Sequence, residues 1–171
     1  VYDAIMAAGE PHQLGHFGML ALDSMRLEKG YRSWKSDLTS DYTMLESGLD
    51  RWVKFEKADF VGREALQAEH QAGSQRQFVT LTLDDPTDDN ADPFGEAVYL
   101  SVVQCDGVDA GLVVSSGYGH RVGKSIAMAV VDKDKLAYAV QITVTVLGRQ
   151  RAAHLVPAQV LYDTNNEKLR G

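Results

Sequence analysis

The sequence has a single cysteine, Cys105, among its 171 residues. That excludes an internal disulfide and a cysteine-only metal site. It also lacks any run of the roughly 18–20 uninterrupted apolar residues that a membrane-spanning helix needs. Its longest apolar stretches, such as Ile126–Val131, are strand-sized. Positive charge is scarce: 17 Lys and Arg against 24 Asp and Glu leave a net charge of −7. No nucleic-acid or membrane partner is therefore expected, since both need clustered Lys and Arg. No initiator methionine is present, and Val1–Gly9 has neither the basic start nor the apolar run of a secretory signal. The chain opens inside a helical pattern instead, with Val1, Ile5 and Ala8 in register, so we expect a piece of a longer polypeptide.

What is present suits a folded domain. Hydrophobic residues make up 44% and are evenly spread, enough to bury a core and to exclude disorder as the main state. The first 73 residues read as helical and irregular. Helices are predicted over 1–9, closed by Gly9 with Pro11 beyond, and over 18–26, with Met19, Leu22 and Met25 on one side. Residues 27–38 show no clean period, and 45–55 are ambiguous. A third helix is predicted to start at Asp59 as N-cap, run through 67–71 and stop at Gly73. After Gly73 the pattern changes to short β-rich runs at 78–83, 98–103, 111–115, 125–131 and 139–147. Cys105-Asp106-Gly107, Gly117-Tyr118-Gly119 and Leu147-Gly148-Arg149 are read as turns, and 156–161 as a last edge strand with Pro157. The expectation is an α+β chain: a helix-containing partial lobe over 1–73, then a small antiparallel β-barrel over 74–171. The tail 165–171 is expected to fray.

Several tempting motifs fail on spacing. The acidic stretch 84–93 lacks the alternate ligands, glycine and glutamate of an EF-hand loop, and reads as a solvated hairpin loop. Before Gly123-Lys124-Ser125, Gly117 leaves five intervening residues and Gly119 three, where a phosphate loop needs four, and a β-rich run follows instead of a helix. The five histidines form no metal-binding pattern, so no metal is expected, and Ser115-Ser116-Gly117 is not a nucleophile elbow. The most distinctive cluster is Arg26, Glu28, Tyr31, Arg32 and Trp34 within nine residues. Such a set suits a planar, partly anionic ligand, because aromatics stack and arginine forks a carboxylate. It suits a domain interface equally well.

Three ordered motifs carry a resemblance. Phe17–Tyr31, which contains Arg26-Leu27-Glu28-Lys29-Gly30-Tyr31, resembles the RLE segment of the glycine cleavage T-protein (aminomethyltransferase) family. Leu45-Glu46-Ser47-Gly48-Leu49 and Asp59-Phe60-Val61-Gly62-Arg63-Glu64-Ala65-Leu66 are similar to its later motifs. Arg26–Tyr31 followed by Trp34 looks most like the folate-binding half of dimethylglycine and sarcosine dehydrogenases, and residues 116–120 and 124–127 resemble that branch's barrel. The resemblance covers nearly the whole chain. It implies three lobes around a folate channel, the last a β-barrel. It also implies tetrahydrofolate as acceptor of a one-carbon unit from an aminomethyl donor. In the demethylating members an FAD domain oxidises an N-methylated glycine and folate captures the methylene group.

The resemblance places the catalytic carboxylate, and any FAD domain, upstream of this chain, so the piece alone is not expected to be catalytic. Upstream domains or a homo-oligomer are the implied protein partners, and a bacterial cytoplasm or mitochondrial matrix the implied setting. Tyr31, Glu28, Arg26 and Trp34 are the implied folate-binding candidates, with Arg26, Lys29, Arg32 and Lys35 as the source of a local positive field. Two departures stand out. Leu22 replaces the family's folate-contacting arginine, and Met44 replaces a usual proline. A structural or interaction module with a vestigial folate site is the alternative that Leu22 favours.

Overall fold

The computed structural model describes residues 1–84 and 95–170. Of the acidic stretch, only Asp84 falls within the described residues.

The second half closes into a six-stranded antiparallel barrel in the order β1-β4-β3-β2-β5-β6. Its strands are β1 (Arg76–Leu83), β2 (Val102–Cys105), β3 (Val108–Gly119), β4 (Lys124–Asp132), β5 (Ile142–Val146) and β6 (Arg149–Leu155). Pairing of Leu81–Leu83 with Ala153–Leu155 completes the ring and leaves no open edge between β1 and β6. Period-two alternation decides which residues fill it. Val79, Leu81 and Leu83 of β1 and Ala127, Ala129 and Val131 of β4 point inward with Val103, Val113 and Val144. Small alanine side chains at 127, 129 and 153 are among the interior residues and suit the narrow lumen. The alternate residues Phe78, Ile126, Met128 and Val130 face outward and are also buried, against Leu27. This explains why 126–131 reads as a continuous apolar run: both faces of β4 are covered.

Leu27 belongs to α2 (Met19–Lys29), which the first half lays across β3 and β4. Before it come α1 (Tyr2–Gly9) and a 3₁₀ turn at Glu10–His12; after it come irregular turns and α3 (Arg63–Ala72). Neither α1 nor α3 has a buried residue.

The structure corrects several local expectations. α3 starts at Arg63 rather than after Asp59, because Gly62 at φ 85° takes the N-cap position in a conformation that side-chain-bearing residues rarely adopt. Gly117-Tyr118-Gly119 is the end of β3, not a turn; the chain reverses over 120–123. The strand expected at 98–103 begins only at Val102. A short helix, α4 (Lys133–Tyr138), precedes β5, capped by Asp132, whose carboxylate accepts the Asp134 and Lys135 N–H groups at 3.0 Å. The edge strand expected at 156–161 is instead an irregular crossing. Its hydrogen bonds tie it to β1 and α2: Val156 N–H donates to the Thr80 carbonyl, and Leu161 N–H to the Glu28 carbonyl. The last strand is β6, and the tail forms a helical turn, α5 (Glu167–Arg170). No helix among the described residues is long and apolar enough to cross a membrane.

Glu46 fastens the turn region to the barrel. Its carboxylate takes a two-point ion pair from Arg76 at 2.8 and 3.0 Å, and its carbonyl accepts the Phe78 N–H at 2.8 Å. Burial pushes the carboxyl up, but the Arg76 hydrogen bonds and the Thr43 N–H outweigh it and hold it below its ordinary 4.5. A depressed carboxyl contributes stability that is present above its ordinary value and lost as pH falls through its folded one. Glu46→Gln is therefore expected to weaken the chain at pH 7 and to flatten the loss of stability on acidification below pH 4.5. Urea unfolding at pH 7 and pH 3 checks this; parallel losses in both proteins would contradict it.

Candidate functional site: a cleft between helix α2 and the barrel

A cleft of about 790 Å³ opens where α2, the β3–β4 hairpin and the C-terminal crossing meet. Ala21, Leu22 and Met25 form its apolar wall on α2, with Tyr31 just past the helix end. His120 and Arg121 come from the hairpin; Tyr162, Asp163, Lys168 and Leu169 close the far side. α2 builds this wall because it is two-faced. Leu27 is sealed against the barrel, while Met19, Leu22 and Met25 lie on the exposed side.

Glu28 holds the three walls together. Its Oε1 accepts the backbone N–H groups of Arg121 at 2.6 Å and Val122 at 3.1 Å, and its carbonyl accepts those of Leu161 and Tyr162. Ser24 adds a bond from its hydroxyl to the Tyr118 carbonyl at 2.8 Å. Lys29 reaches the far wall, with Nζ 2.9 Å from Asp163 Oδ2. That hydrogen bond, against the opposing pull of burial, holds the Asp163 carboxyl below the usual carboxylate range. Asp163 Oδ1 also accepts the Lys168 N–H at 3.1 Å, which ties α5 to the cleft's far wall.

The sequence candidates separate on this geometry. Arg26, Glu28 and Tyr31 all line the cleft; Trp34 does not, and stands 75% exposed on the turn beyond it. Arg26 points into the protein. Its Nη1 donates to Asp37 Oδ2 at 2.9 Å and its Nη2 to Ser115 Oγ at 3.0 Å, and its Nε pairs with Asp23 at 2.7 Å. Arg32 stacks over the Phe78 ring at 4.2 Å and donates to Gln159 Oε1; burial pulls its guanidinium pKa down, against the raising effect of Asp37. Lys35 is exposed and outside the cleft. Of the four cations expected to make a positive field, three are thus engaged within the fold. The cleft residues that sequence reading missed are Arg121, Tyr162, Asp163 and Lys168. They come from a hairpin and a tail separated by about forty positions, with no spacing pattern to join them.

This arrangement, a helix bearing an RLE segment laid on a closed barrel, is matched by comparison with known proteins. The family description "GCVT N-terminal domain" matches residues 1–57, and "Glycine cleavage T-protein C-terminal barrel domain" matches residues 76–163. The chain belongs to the glycine cleavage T-protein family. Among T-protein relatives, the mitochondrial dimethylglycine dehydrogenase of Mus musculus is 35% identical over 158 residues, which is 91% of this chain and 17% of that protein. The mitochondrial sarcosine dehydrogenase of Homo sapiens is 38% identical over 128 residues, 74% of this chain and 13% of that protein. The chain therefore spans less than a fifth of the length of these relatives. In fold it resembles the crystal structure of the glycine cleavage system aminomethyltransferase T from Bartonella henselae. The TM-score is 0.75 at 24% identity, covering 94% of this chain and 44% of that one. The chain is thus an aminomethyltransferase-like domain related to dimethylglycine and sarcosine dehydrogenases, with the T-protein C-terminal barrel.

Proposed function

We propose that this chain is the C-terminal part of a folate-dependent T-protein domain that takes part in demethylating a small N-methylated amino acid. The boundary we assign lies between residues 73 and 74. It separates a partial folate lobe from the barrel domain. The observation that carries this reading is the cleft beside the RLE segment. Its volume falls in the range usual for small-molecule sites, and its apolar wall ends at the half-exposed Tyr31 ring. An aromatic edge on an apolar wall, with cations across from it, fits a flat heteroaromatic ligand bearing an anionic tail. Tyr31 is assigned to the ring, with Trp34 extending the aromatic surface outside the cleft. Arg26 and Glu28 act by shaping the walls. Tetrahydrofolate, when bound, supplies a nitrogen acceptor for the one-carbon unit. The residues described hold it and keep it oriented, while acid–base chemistry, and FAD where the parent carries it, come from outside this chain. The mitochondrial relatives support a mitochondrial matrix setting, or a bacterial cytoplasm.

One observation favours a second reading, a structural module with a vestigial site: Leu22 places an uncharged side chain on the cleft wall. Calorimetry with tetrahydrofolate on the full-length natural polypeptide separates the two. Binding weakened roughly tenfold or more by Tyr31→Ala supports the folate reading. No binding by the full-length protein supports the structural one.

A further inference from the structure

We propose that Arg121 and Lys168, set around Tyr162 at the end of the cleft, bind the anionic tail of the folate. The inference rests on the folate reading above and adds to it the residues that recognise the tail carboxylates.

The case begins with elimination. Four Lys and Arg side chains line the cleft: Arg26, Lys29, Arg121 and Lys168. Lys29 is engaged by Asp163, and Arg26 by Asp23 and Asp37. Arg121 and Lys168 differ. Among the described residues neither makes an ion pair. The Arg121 guanidinium lies 5.4 Å over the Tyr162 ring; Lys168 Nζ is 3.1 Å from the Tyr162 hydroxyl and 5.2 Å from its ring centre. Two cations around one aromatic ring, at the mouth of an apolar cleft, attract a carboxylate more strongly than either alone.

Both are also pre-positioned. The Arg121 backbone is held by Glu28 at 2.6 Å, and the Lys168 backbone by Asp163, itself tied to Lys29. The backbones that carry the two positive groups are therefore fixed from α2, and both groups gather at Tyr162, which lowers the ordering cost when a ligand arrives. A guanidinium also offers a carboxylate two parallel N–H donors, which an ammonium does not. Arg121 is accordingly the stronger contributor.

The test is calorimetry on the full-length natural polypeptide with tetrahydrofolate and with tetrahydropteroate, the same ring system lacking the glutamate. The wild type is expected to favour tetrahydrofolate by roughly tenfold or more, a preference that shrinks at high salt. Arg121→Ala with Lys168→Ala is expected to erase that preference while leaving tetrahydropteroate affinity and thermal unfolding unchanged. Arg121→Lys with Lys168→Arg retains most of it. A wild type without preference, or a double variant that keeps it, overturns the tail assignment and leaves the folate reading standing. A wild type that binds neither compound overturns both.

Discussion

Replacing Arg26 by methionine is expected to lower the free energy of unfolding by about 3–5 kcal/mol, the range for breaking a buried ion pair from one side. The reason lies in Asp37, whose side chain is fully buried. Its Oδ2 is held by Arg26 and by the Ser33 N–H at 2.6 Å, while its Oδ1 has no partner. Methionine matches much of the volume of the arginine stem but leaves Asp37 as a fully buried charge whose one remaining hydrogen bond comes from the Ser33 N–H. Arg26 also bonds Ser115 of β3 and the Tyr31 carbonyl, so the turn that follows α2 loses its fastening to the barrel. Its pair with Asp23 is a different matter. Asp23 is 53% exposed, and Asp23→Ala is expected to cost at most about 1 kcal/mol. Adding Asp37→Leu to Arg26→Met should recover a large part of the loss, because no charge then remains to be desolvated. Urea unfolding curves with unchanged slopes would read these shifts directly. Equal, small losses from Arg26→Met and Asp23→Ala would show that the buried pair does not hold the turn.

The barrel was legible because its sequence obeys local rules. Alternation marked β1, and the turn residues at 106–107 and 147–148 all adopt the positive φ that two-residue hairpins demand. Legibility failed where tertiary contacts override local pattern. Residues 156–161 have strand composition, yet their partners are a strand side and a helix end far away in the chain. α4 is six residues long, too short for a period to emerge. Asp59 is a good cap by type, but Gly62 supplies the backbone conformation from which α3 actually starts. The site shows the same division. Arg26, Glu28 and Tyr31, which line the cleft, stood out within one dense cluster, and the family resemblance pointed to them. The opposite wall depends on Glu28 meeting Arg121 across 93 positions and Lys29 meeting Asp163 across 134, which no motif spacing encodes. Charge was misjudged for a related reason: proximity in sequence grouped Arg26, Lys29 and Arg32 as a field, while the fold gives each an internal partner.

Gly30→Ala is the substitution expected to disturb stability and cleft together, at a cost of about 2–5 kcal/mol. Part of that is conformational. Gly30 ends α2 at φ 71°, a left-handed position that costs an alanine about 1–2 kcal/mol. The remainder is steric, about 1–3 kcal/mol as in other overpacked sites. A Cβ at Gly30 would collide with the Gln159 carbonyl oxygen and press on Val160 Cγ2 at 3.3 Å. Gln159 cannot retreat freely. Its carbonyl accepts the Thr80 hydroxyl at 3.2 Å, and its side chain joins Arg32 to the Phe78 carbonyl. Gly62→Ala is the control, since Gly62 has φ 85° but open space around its Cβ position. It is expected to lose only the conformational part. Denaturant midpoints would measure the gap between the two. Because Gly30 lies between Lys29 and Tyr31, the displaced crossing also carries Tyr162 and Asp163 away from α2. Gly30→Ala should therefore weaken tetrahydrofolate binding under conditions where both variants are fully folded, while Gly62→Ala leaves it unchanged. Equal binding by the two would mean that the crossing does not set the width of the cleft.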